Sequence, residues 1–399
     1  MAELTKEQAF SLIEENLTEV LNPEIIKAVQ DEGRPVKIYW GTATTGRPHC
    51  GYFVPAIKIA QFLAAGCDMT ILLADIHGFL DNLKAPIELV QYRAQYYKYV
   101  ITALLEAVGV PTTRLRFVLG SSYQKSDDYV MDIFKLSSLV SQNNAKRAGA
   151  EVVKQSDDGP LSGLLYPILQ VLDEQYLDCD AQFGGLDQRK LFTAATEWLP
   201  KLGYKKRAHL MNPMVPGLQG SKMSSSEPDS KIDVLDAPNV VTKKLRSAFA
   251  APKVVEDNGI LSFVEFVLLP AAGLKGKKEF LVSRERDGLE PLVYTDIAAM
   301  HEDYRNEILT PQLLKPAVAT ALNDLLAPIQ AAYNASPEWQ AIAEKAYPPE
   351  EGKKKVKKVK NKGTRYPGQV AADGALPVRP KEEAGDAAQV DGVEAPAEN

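Results

Sequence analysis

Short apolar runs alternate with longer amphipathic stretches along the first half of the chain. Five runs have the length and composition of buried strands: VKIYWG (36–41), MTILLAD (69–75), LRFVLG (115–120), DAQFGG (180–185) and HLMNPM (209–214). Three stretches between them predict helices: GYFVPAIKIAQFLAAG (51–66), PIELVQYRAQYYKYVITALLEAVG (86–109) and LLYPILQVLDEQYLD (164–178). This alternation predicts an α/β fold with a Rossmann-like parallel sheet. Such sheets bind ligands beyond the carboxyl ends of their strands, and this rule selects the loops that carry candidate chemistry.

The pattern changes near residue 230, where helical segments such as LLKPAVATALNDLLAPIQAAY dominate and strand signals fade. We therefore expect a Rossmann-like domain over 1–229, a smaller α-helical domain over 230–348 and a tail over 349–399. The tail is rich in Ala, Gly, Pro and charged residues and poor in large apolar side chains. It is predicted to be disordered, because it cannot bury enough surface to offset the entropy of ordering.

The composition is that of a globular protein: 45% hydrophobic and 25% charged residues in a chain of 399, long enough for two domains. No apolar run reaches the ~18 residues of a membrane span, and the N-terminal MAELTKEQAF lacks the pattern of a secretory signal. Cys50, Cys67 and Cys179 are far apart and lack metal-ligand spacing, which favours free thiols in a reducing compartment. We expect a cytoplasmic protein with no membrane contact and no protein-bound metal.

The net charge of −6 hides a basic run, KKKVKKVKNKGTR (353–365), with eight basic side chains and no acidic one. One interpretation is a solvated segment that only aids solubility. The other is contact with a polyanion, RNA above all, or an import signal that would give a nuclear pool. The sequence leaves both interpretations open.

The turn after the first predicted strand, GTATTGRPHCGY (41–52), has the small and hydroxyl residues of a ligand-binding loop. Glycines let the backbone approach a ligand closely, and a helix that begins near Gly51 offers unpaired N–H groups to a phosphate. The turn has neither the Walker pattern nor G-x-G-x-x-G. A lone histidine in a turn is commonly a surface or cap residue, but His49 stands at the carboxyl end of a strand, which favours a role in the site.

A second candidate loop, QGSKMSSSE (219–227), follows the last predicted strand. A serine-rich loop is usually a solvated linker. Here Lys222 stands in front of the serines and offers a positive charge to an anion.

Polar residues interrupt the leucines of the third predicted helix. Tyr166, Gln170 and Asp173 are spaced i, i+4 and i+7, so they share one face. A polar stripe of this kind is commonly solvated. Because leucines surround it in LLYPILQVLDEQYL, we expect this face to be partly buried, where its polar groups need partners that a polar ligand would supply.

PHCGY followed far downstream by KMSSS resembles the paired HIGH and KMSKS motifs of the class I aminoacyl-tRNA synthetases, here at 44–52 and 222–226. Three longer stretches are similar to the tyrosyl-tRNA synthetases of the eukaryotic cytoplasm: KIYWGTATTGRPHCGYFVP, LSGLLYPILQVLDEQYLDCDAQFGGLDQRK and HLMNPMVPGLQGSKMSSSE. The similarity extends to about Pro348 and so covers nearly all of the chain except the tail. It implies a ligase that activates L-tyrosine with ATP, releases pyrophosphate, and transfers tyrosine to the 3′ end of tRNA(Tyr).

The resemblance also implies a role for each matching residue. The catalytic residues would be Thr45, His49 and Lys222. Tyr39 and Asp173 would bind the phenol hydroxyl of tyrosine, and Tyr166, Gln170 and Gln188 would bind its ammonium and carboxylate. ATP would contact Gly41, His49, Gly51, Gly185, Asp187, Lys222, Met223 and Ser224.

Two positions depart from the family motifs. Tyr52 stands where HIGH ends in His, and Ser225 stands where KMSKS has its second lysine. We hypothesise that another cation, a metal ion or potassium, supplies the missing charge. An activation rate that does not depend on the identity of the monovalent cation would remove the basis for potassium.

For cofactors and partners, the resemblance implies ATP with Mg²⁺, tRNA(Tyr) and a second copy of the chain. The segment YVMDIFKLSSLVSQNNAKRAG (129–149) is expected near the homodimer interface. The helical domain would bind the anticodon, with SRERDGLEP (283–291) as the candidate segment, whereas VTKKLRSAF (241–249) is explained equally well as a basic helix face.

Two other function classes compete with this interpretation. The related tryptophanyl enzymes share the fold and both motifs, but an indole has no hydroxyl for Tyr39 and Asp173 to bind. A non-catalytic RNA-binding protein on a synthetase scaffold would not need His49, Lys222 and the pocket residues, all of which are present.

Overall fold

The computed structural model describes residues 4–81, 86–110, 114–153, 159–217 and 231–348. The predicted disordered tail, its basic run and the serine-rich loop 219–227 lie outside the described residues. The strands of the described ranges are β1 (Glu19–Leu21), β2 (Lys37–Ala43), β3 (Asp68–Ala74), β4 (Leu115–Leu119), β5 (Ala181–Gly185), β6 (Ala208–Asn212), β7 (Phe280–Val282) and β8 (Leu292–Tyr294).

Helices account for most of the remaining described chain. They are α1 (Lys6–Glu14), α2 (Pro23–Asp31), α3 (Phe53–Ala64), α4 (Asp75–Leu80), α5 (Ile87–Ala107), α6 (Asp127–Leu139), α7 (Gln142–Ala148), α8 (Ser162–Tyr176), α9 (Arg189–Trp198), α10 (Pro238–Ser247), α11 (Gly259–Phe263), α12 (Leu269–Leu274), α13 (Ile297–Arg305), α14 (Pro311–Ala335) and α15 (Pro337–Ala346). The three helices predicted from the sequence are found as α3, α5 and α8. Of the helices in the described ranges, none is long and apolar enough to cross a membrane.

The five predicted strands, β2 to β6, form a parallel sheet, which confirms the α/β prediction. The full strand order is β1-β6-β5-β2-β3-β4. From β2 the chain proceeds outward to β3 and β4, and then crosses to the other side of β2 to form β5 and β6. The direction of winding therefore switches between β2 and β5, and a doubly wound sheet binds its ligands at the carboxyl ends of such strands.

Two features of the sheets were not predicted. β1 pairs antiparallel with β6 at the sheet edge, with Val20 opposite Leu210. β7 and β8 form a separate antiparallel pair inside the region predicted to be helical, so that prediction is wrong at this hairpin. All three strands are only three residues long, too short for an alternating pattern to stand out in the sequence. The segment 283–291 is the connection between β7 and β8.

One apolar cluster extends from the sheet into the C-terminal helices. It joins Phe183 of β5 to Leu326 of α14 and Trp339 of α15. Trp339 is 2% exposed and stacks on Tyr99 of α5, with ring centres 5.3 Å apart. The helical region therefore shares its core with the Rossmann-like part, and the domain boundary at residue 229 stays a prediction.

Trp339→Ala should destabilise the Rossmann-like part as well as α15. Truncation of a buried tryptophan costs about 3–5 kcal/mol, because the surroundings relax only partly around the cavity. We expect urea denaturation to give one cooperative transition at a lower midpoint. Far-UV dichroism reports the whole chain, and the fluorescence of the two remaining tryptophans, Trp40 and Trp198, reports the Rossmann-like part.

The control for this variant is Phe249→Ala, at a side chain that is 60% exposed. It should change the free energy of unfolding by less than about 0.5 kcal/mol. A fluorescence transition of Trp339→Ala that stays at the wild-type midpoint would show that the two regions unfold independently.

Candidate active site

The carboxyl ends of β2 and β5 open into a cavity of about 330 Å³, which we call the polar cavity. α8 forms one wall of it. Five residues predicted for an amino-acid pocket line the polar cavity: Tyr39, Tyr166, Gln170, Asp173 and Gln188. Gly41, predicted to contact ATP, lines this cavity as well.

α8 presents three of these side chains together because of their helical spacing. Tyr166, Gln170 and Asp173 are all buried. The other face of the helix packs Ile168 and Val171 into an apolar cluster. The polar stripe is therefore buried, more fully than the partial burial that its apolar surroundings predicted.

Asp173 is fully buried, and its two carboxylate oxygens have different surroundings. Oδ1 accepts hydrogen bonds from Tyr123 Oη (2.7 Å), Gln124 Nε2 (2.8 Å) and Tyr129 Oη (2.8 Å), although Tyr129 shares its one proton with the Leu169 carbonyl at 2.9 Å. Oδ2 has no hydrogen-bond partner among the described residues, and His77 Nε2 lies 3.7 Å from it, beyond hydrogen-bonding distance. Three donors thus fix the carboxylate and leave one oxygen open for a ligand.

The surroundings of Asp173 shift its pKa. Burial raises the pKa of Asp173 to about 7, while the three hydrogen bonds to Oδ1 oppose that shift and the charge of Glu174 adds to it. Burial also lowers the pKa of His77 to about 4, so this ring carries no charge at neutral pH. Groups with strongly shifted pKa values cluster at functional sites.

Tyr39 presents the group that complements Asp173. Its hydroxyl oxygen is buried and has no partner in the part of the chain that the structure describes. Burial, and then the charge of Asp173, raises the pKa of Tyr39 well above its ordinary value, so the hydroxyl keeps its proton and can donate it. A buried polar atom left unpaired costs about 1–3 kcal/mol, and a ligand hydroxyl that accepts from Tyr39 and donates to Asp173 would satisfy both.

Gln188 reaches the polar cavity from the turn that follows β5. Gln170 Nε2 donates to Gln188 Oε1 at 2.7 Å, which orients both amides. Gly184 makes this approach possible, since a Cβ there would lie 2.9 Å from the Gln188 side chain and 2.8 Å from the ring of Phe192.

A second cavity, of about 270 Å³, lies beside the polar cavity, and we call it the strand-end cleft. Four residues predicted to contact ATP line it: His49, Gly51, Gly185 and Asp187. Trp40, Tyr52 and Asp187 line both cavities, so the two adjoin. A ligand in one would lie next to a ligand in the other.

His49 caps the 3₁₀ turn Cys50–Tyr52 that leads into α3. Its Nδ1 accepts from the backbone N–H of Gly51 at 3.1 Å, so a neutral ring carries its proton on Nε2. Burial, and then the positive charge of Lys231, lowers the pKa of His49 to about 4. At neutral pH the ring is therefore a neutral hydrogen-bond donor and not a cation.

One predicted site residue among those described, Thr45, is not brought to the two cavities. Thr45 lies in the turn after β2, where its N–H donates to the Ala43 carbonyl at 2.9 Å, and it lines neither cavity. Lys222, Met223 and Ser224 fall in 218–230, outside the described residues.

All three cysteines lie in the described part of the chain. Cys50, Cys67 and Cys179 are buried free thiols. Among the residues that the structure describes, no group of three or more His, Cys, Asp and Glu side chains could hold a metal ion.

Sequence analysis missed the residues that hold Asp173. Tyr123 and Gln124 follow the carboxyl end of β4, so the rule that selected the turn 41–52 also pointed to them. His77, in the helix that follows β3, lines the polar cavity and was missed in the same way. No sequence signal separates Tyr129, in α6, from an ordinary core tyrosine.

Known tRNA synthetases are similar to this chain over most of its length. The profile of the family described as tRNA synthetases class I (W and Y) matches residues 31–327. The cytoplasmic tyrosine–tRNA ligase of Saccharomyces cerevisiae is 57% identical over 369 residues, which cover 90% of this chain and 93% of that enzyme. The enzyme of the same name from Xenopus laevis is 53% identical over 363 residues, covering 90% of this chain and 67% of that one.

A solved structure adds similarity in three dimensions. The tyrosyl-tRNA synthetase of Archaeoglobus fulgidus, crystallised in complex with L-tyrosine, matches the fold with a TM-score of 0.75 at 35% identity. The match covers 82% of this chain and 99% of the archaeal one.

Asp173→Asn should stabilise the folded chain at pH 8 and do so less at pH 5. The folded pKa of about 7 lies above the ordinary carboxyl value of 3.8, so the folded state binds the proton more tightly than the unfolded state. Wild-type stability is therefore lost as the pH rises between these two values. Asparagine stays neutral and avoids the loss, which is on the order of a few kcal/mol. Urea denaturation at both pH values measures the difference.

Asp178→Asn serves as the control for this comparison. A hydrogen bond from Lys37 holds the pKa of Asp178 below its usual range. Loss of this carboxylate should lower the free energy of unfolding slightly, and by the same amount at pH 5 and pH 8. Equal stabilisation by Asp173→Asn at the two pH values would show that Asp173 ionises like an exposed carboxyl.

Proposed function

Because the chain belongs to the class I tRNA synthetases for tryptophan and tyrosine and has the activity of a tyrosine–tRNA ligase, we propose that the polar cavity binds L-tyrosine and the strand-end cleft binds ATP. Use of ATP, tyrosine and tRNA(Tyr) follows from that activity. The curated relatives are named cytoplasmic, and the chain is cytoplasmic, as its sequence predicted. A nuclear pool stays a prediction.

The observation that carries the proposal is a pair of buried, unpaired atoms, Tyr39 Oη and Asp173 Oδ2, on side chains that line one cavity. A phenol hydroxyl has one proton to donate and lone pairs that accept. It would accept from Tyr39 and donate to Asp173. The donors on Asp173 Oδ1 hold the carboxylate in place before the substrate arrives, which reduces the ordering cost of binding. A phenylalanine ring would leave both atoms desolvated and unpaired.

The tryptophan branch of the family is the second candidate. An indole N–H could donate to Asp173, but it has no lone pair for the hydroxyl of Tyr39, so one of the two atoms would stay unpaired. The identity of 57% to a tyrosine–tRNA ligase also favours tyrosine. A non-catalytic scaffold protein would have no ligand to satisfy the buried pair.

Activation joins the tyrosine carboxylate to the α-phosphorus of ATP. One carboxylate oxygen attacks the phosphorus, the bond to the bridging β-phosphate oxygen breaks, and pyrophosphate leaves with that electron pair. Such chemistry depends on positioning and on stabilisation of charge. Adjoining cavities would bring the two reacting groups together, with Tyr166, Gln170 and Gln188 at the tyrosine ammonium and carboxylate.

ATP would enter the strand-end cleft as its magnesium complex. The Nε2–H of neutral His49 is suited to donate to a phosphate oxygen near Gly51. Gly185 and Asp187 would contact the ribose, because a carboxylate suits a diol. Lys222 would meet the departing pyrophosphate. The catalytic role of Thr45 stays a prediction from the resemblance alone.

Transfer to tRNA(Tyr) completes the reaction. A ribose hydroxyl at the 3′ end attacks the tyrosyl carbonyl carbon, and the bond from that carbon to the bridging phosphate oxygen breaks. AMP leaves with the electron pair, and its phosphate can take up the hydroxyl proton. The tRNA would also reach the helical region, where residues 283–286 and α14 line a groove of about 540 Å³. The lining carries three basic side chains, Lys275, Arg284 and Arg286, and three acidic ones, Glu279, Glu285 and Asp324. The groove as a whole is therefore not positively charged, and a phosphate contact would depend on the arginines individually. Unchanged tRNA(Tyr) affinity of Arg286→Ala would contradict this contact.

The other basic segment of the helical region has a structural explanation. On α10, Lys244 Nζ lies 2.7 Å from Asp236 Oδ2 and donates to the Lys231 carbonyl at 3.0 Å. This pairing favours the interpretation of 241–249 as a helix face and not as an anticodon contact.

The homodimer also belongs to this proposal. Three large apolar side chains of α6, within the predicted interface segment 129–149, are exposed: Met131, Phe134 and Leu139. Exposed apolar groups on one short helix favour a protein partner. Sedimentation at the mass of a single chain would contradict the proposed homodimer.

ATP–pyrophosphate exchange with tyrosine, phenylalanine and tryptophan tests the proposed function. Tyrosine should drive exchange, and phenylalanine should be rejected by a factor on the order of 10⁵, which is the established discrimination of tyrosyl-tRNA synthetases as a class. Asp173→Ala should reduce kcat/KM severely for tyrosine and much less for phenylalanine. The ratio of kcat/KM for tyrosine to kcat/KM for phenylalanine should therefore fall. Tyr39→Phe removes only the hydroxyl that donates to the substrate, and it should lower kcat/KM for tyrosine about 5- to 10-fold.

The control is Tyr176→Phe, whose hydroxyl bonds to Asp132 at 2.9 Å and which does not line the polar cavity. Its selectivity should equal that of the wild type. Equal losses for both amino acids in Asp173→Ala would mean that Asp173 holds α8 or the ammonium and does not read the hydroxyl. Exchange driven by tryptophan in place of tyrosine would contradict the proposed function itself.

A further inference from the structure

Two tyrosine hydroxyls donate hydrogen bonds to one backbone carbonyl in the turn between β2 and His49. Tyr97 Oη of α5 donates to the Gly46 carbonyl oxygen at 2.6 Å. Tyr347 Oη donates to the same oxygen at 2.7 Å, from 301 residues further along the chain. A carbonyl oxygen has two lone pairs, and these two donors occupy both.

Tyr347 is itself fixed by two arginines. Arg47 and Arg93 each hold the guanidinium carbon 4.9 Å from the centre of the Tyr347 ring, a cation–π distance. Arg93 Nε also donates to the Ala346 carbonyl at 3.1 Å. Tyr96 packs edge-on against the same ring, with centres 5.3 Å apart. The hydroxyl is thus aimed at Gly46 by contacts on several sides of its ring.

Gly46 is also the end of a chain of hydroxyls that begins at the polar cavity. Tyr52 Oη lies 3.0 Å from Thr42 Oγ1 and 3.4 Å from Tyr97 Oη. Each hydroxyl has one proton, and a carbonyl only accepts. Because Tyr97 donates to Gly46, it accepts from Tyr52. Tyr52 has then used its proton and accepts from Thr42, so the residue that departs from the HIGH pattern links the cavity wall to the turn.

We propose that Tyr347 is a positioning residue for ATP, acting through the Gly46 carbonyl. The proposal rests on the proposed function of the strand-end cleft. Gly46 belongs to the turn that presents His49 and Gly51 to that cleft. With both lone pairs bound, the turn is tied to α5 and to the end of α15. With one bond lost, the turn is free to shift against ATP, while Asp173 and the rest of the tyrosine pocket keep their own supports.

Tyr347→Phe in the full chain removes the hydroxyl and keeps the ring that the two arginines contact. In ATP–pyrophosphate exchange, KM for ATP should rise about 3- to 10-fold, the effect of one hydrogen bond, and KM for tyrosine should not change. Tyr97→Phe removes the other donor and should raise KM for ATP too. In thermal denaturation, ATP should raise the melting temperature of Tyr347→Phe less than that of the wild type, whereas tyrosine should raise both equally.

Tyr304→Phe is the matched control, because Tyr304 Oη also donates to a backbone carbonyl, that of Ala251 at 3.0 Å. Both of its KM values should equal those of the wild type. A wild-type KM for ATP in Tyr347→Phe would overturn the proposal, whatever its melting temperature, since the hydroxyl would then serve folding alone. Equal rises in the two KM values would overturn it as well. Absence of tyrosine-dependent exchange in the wild type would instead refute the proposed function, and this proposal with it.

Discussion

The buried carboxylate of Asp173 is the constraint on which the rest of the candidate site depends. Three neutral donors bind Oδ1, and the described residues give Oδ2 no partner. Burial therefore raises the pKa to about 7, and the folded chain is less stable at higher pH, where it must keep a buried charge. A substrate hydroxyl that donates to Oδ2 would recover part of that stability, so the arrangement links affinity to recognition of one hydroxyl group.

Several elements of the fold meet around Asp173 and so place the residues that surround its carboxylate. Strand order brings β2, with Tyr39, beside β5 at the place where the winding of the sheet switches. α8 covers that place with its polar face, and the turn after β4 contributes Tyr123 and Gln124. The same strand ends lead directly into the strand-end cleft, so the two cavities adjoin. The C-terminal helices support the arrangement through the buried Trp339 and through Tyr347.

The sequence predicted the parts of the structure that depend on local pattern. Strands buried on both faces appear as continuous apolar runs, and β2, β3, β5 and β6 are mostly buried. The edge strand β4 is only partly buried, but its sequence is apolar enough to be predicted as well. The three-residue β1, β7 and β8 show no such run. Helical spacing identified Tyr166, Gln170 and Asp173, but their partners come from elsewhere: Tyr123 lies 50 residues from Asp173 along the chain. Contacts between distant segments leave no periodic signal, so the support of Asp173 and the hydroxyls behind Gly46 became visible only in the fold.

The most direct test of the central claim is the proton released when L-tyrosine binds. Hydrogen bonding to the ionised form lowers a carboxyl pKa, so Asp173, with a pKa of about 7 in the free chain, should lose its remaining proton on binding. Isothermal titration calorimetry in buffers of different ionisation enthalpy counts that proton. We predict that proton release is largest at pH 6 and falls as the pH rises through 7 to 8. Release that is absent at pH 6 would contradict the claim that burial keeps Asp173 largely protonated there in the free chain, and proton uptake would contradict the claim that an ionised Asp173 accepts the substrate hydroxyl.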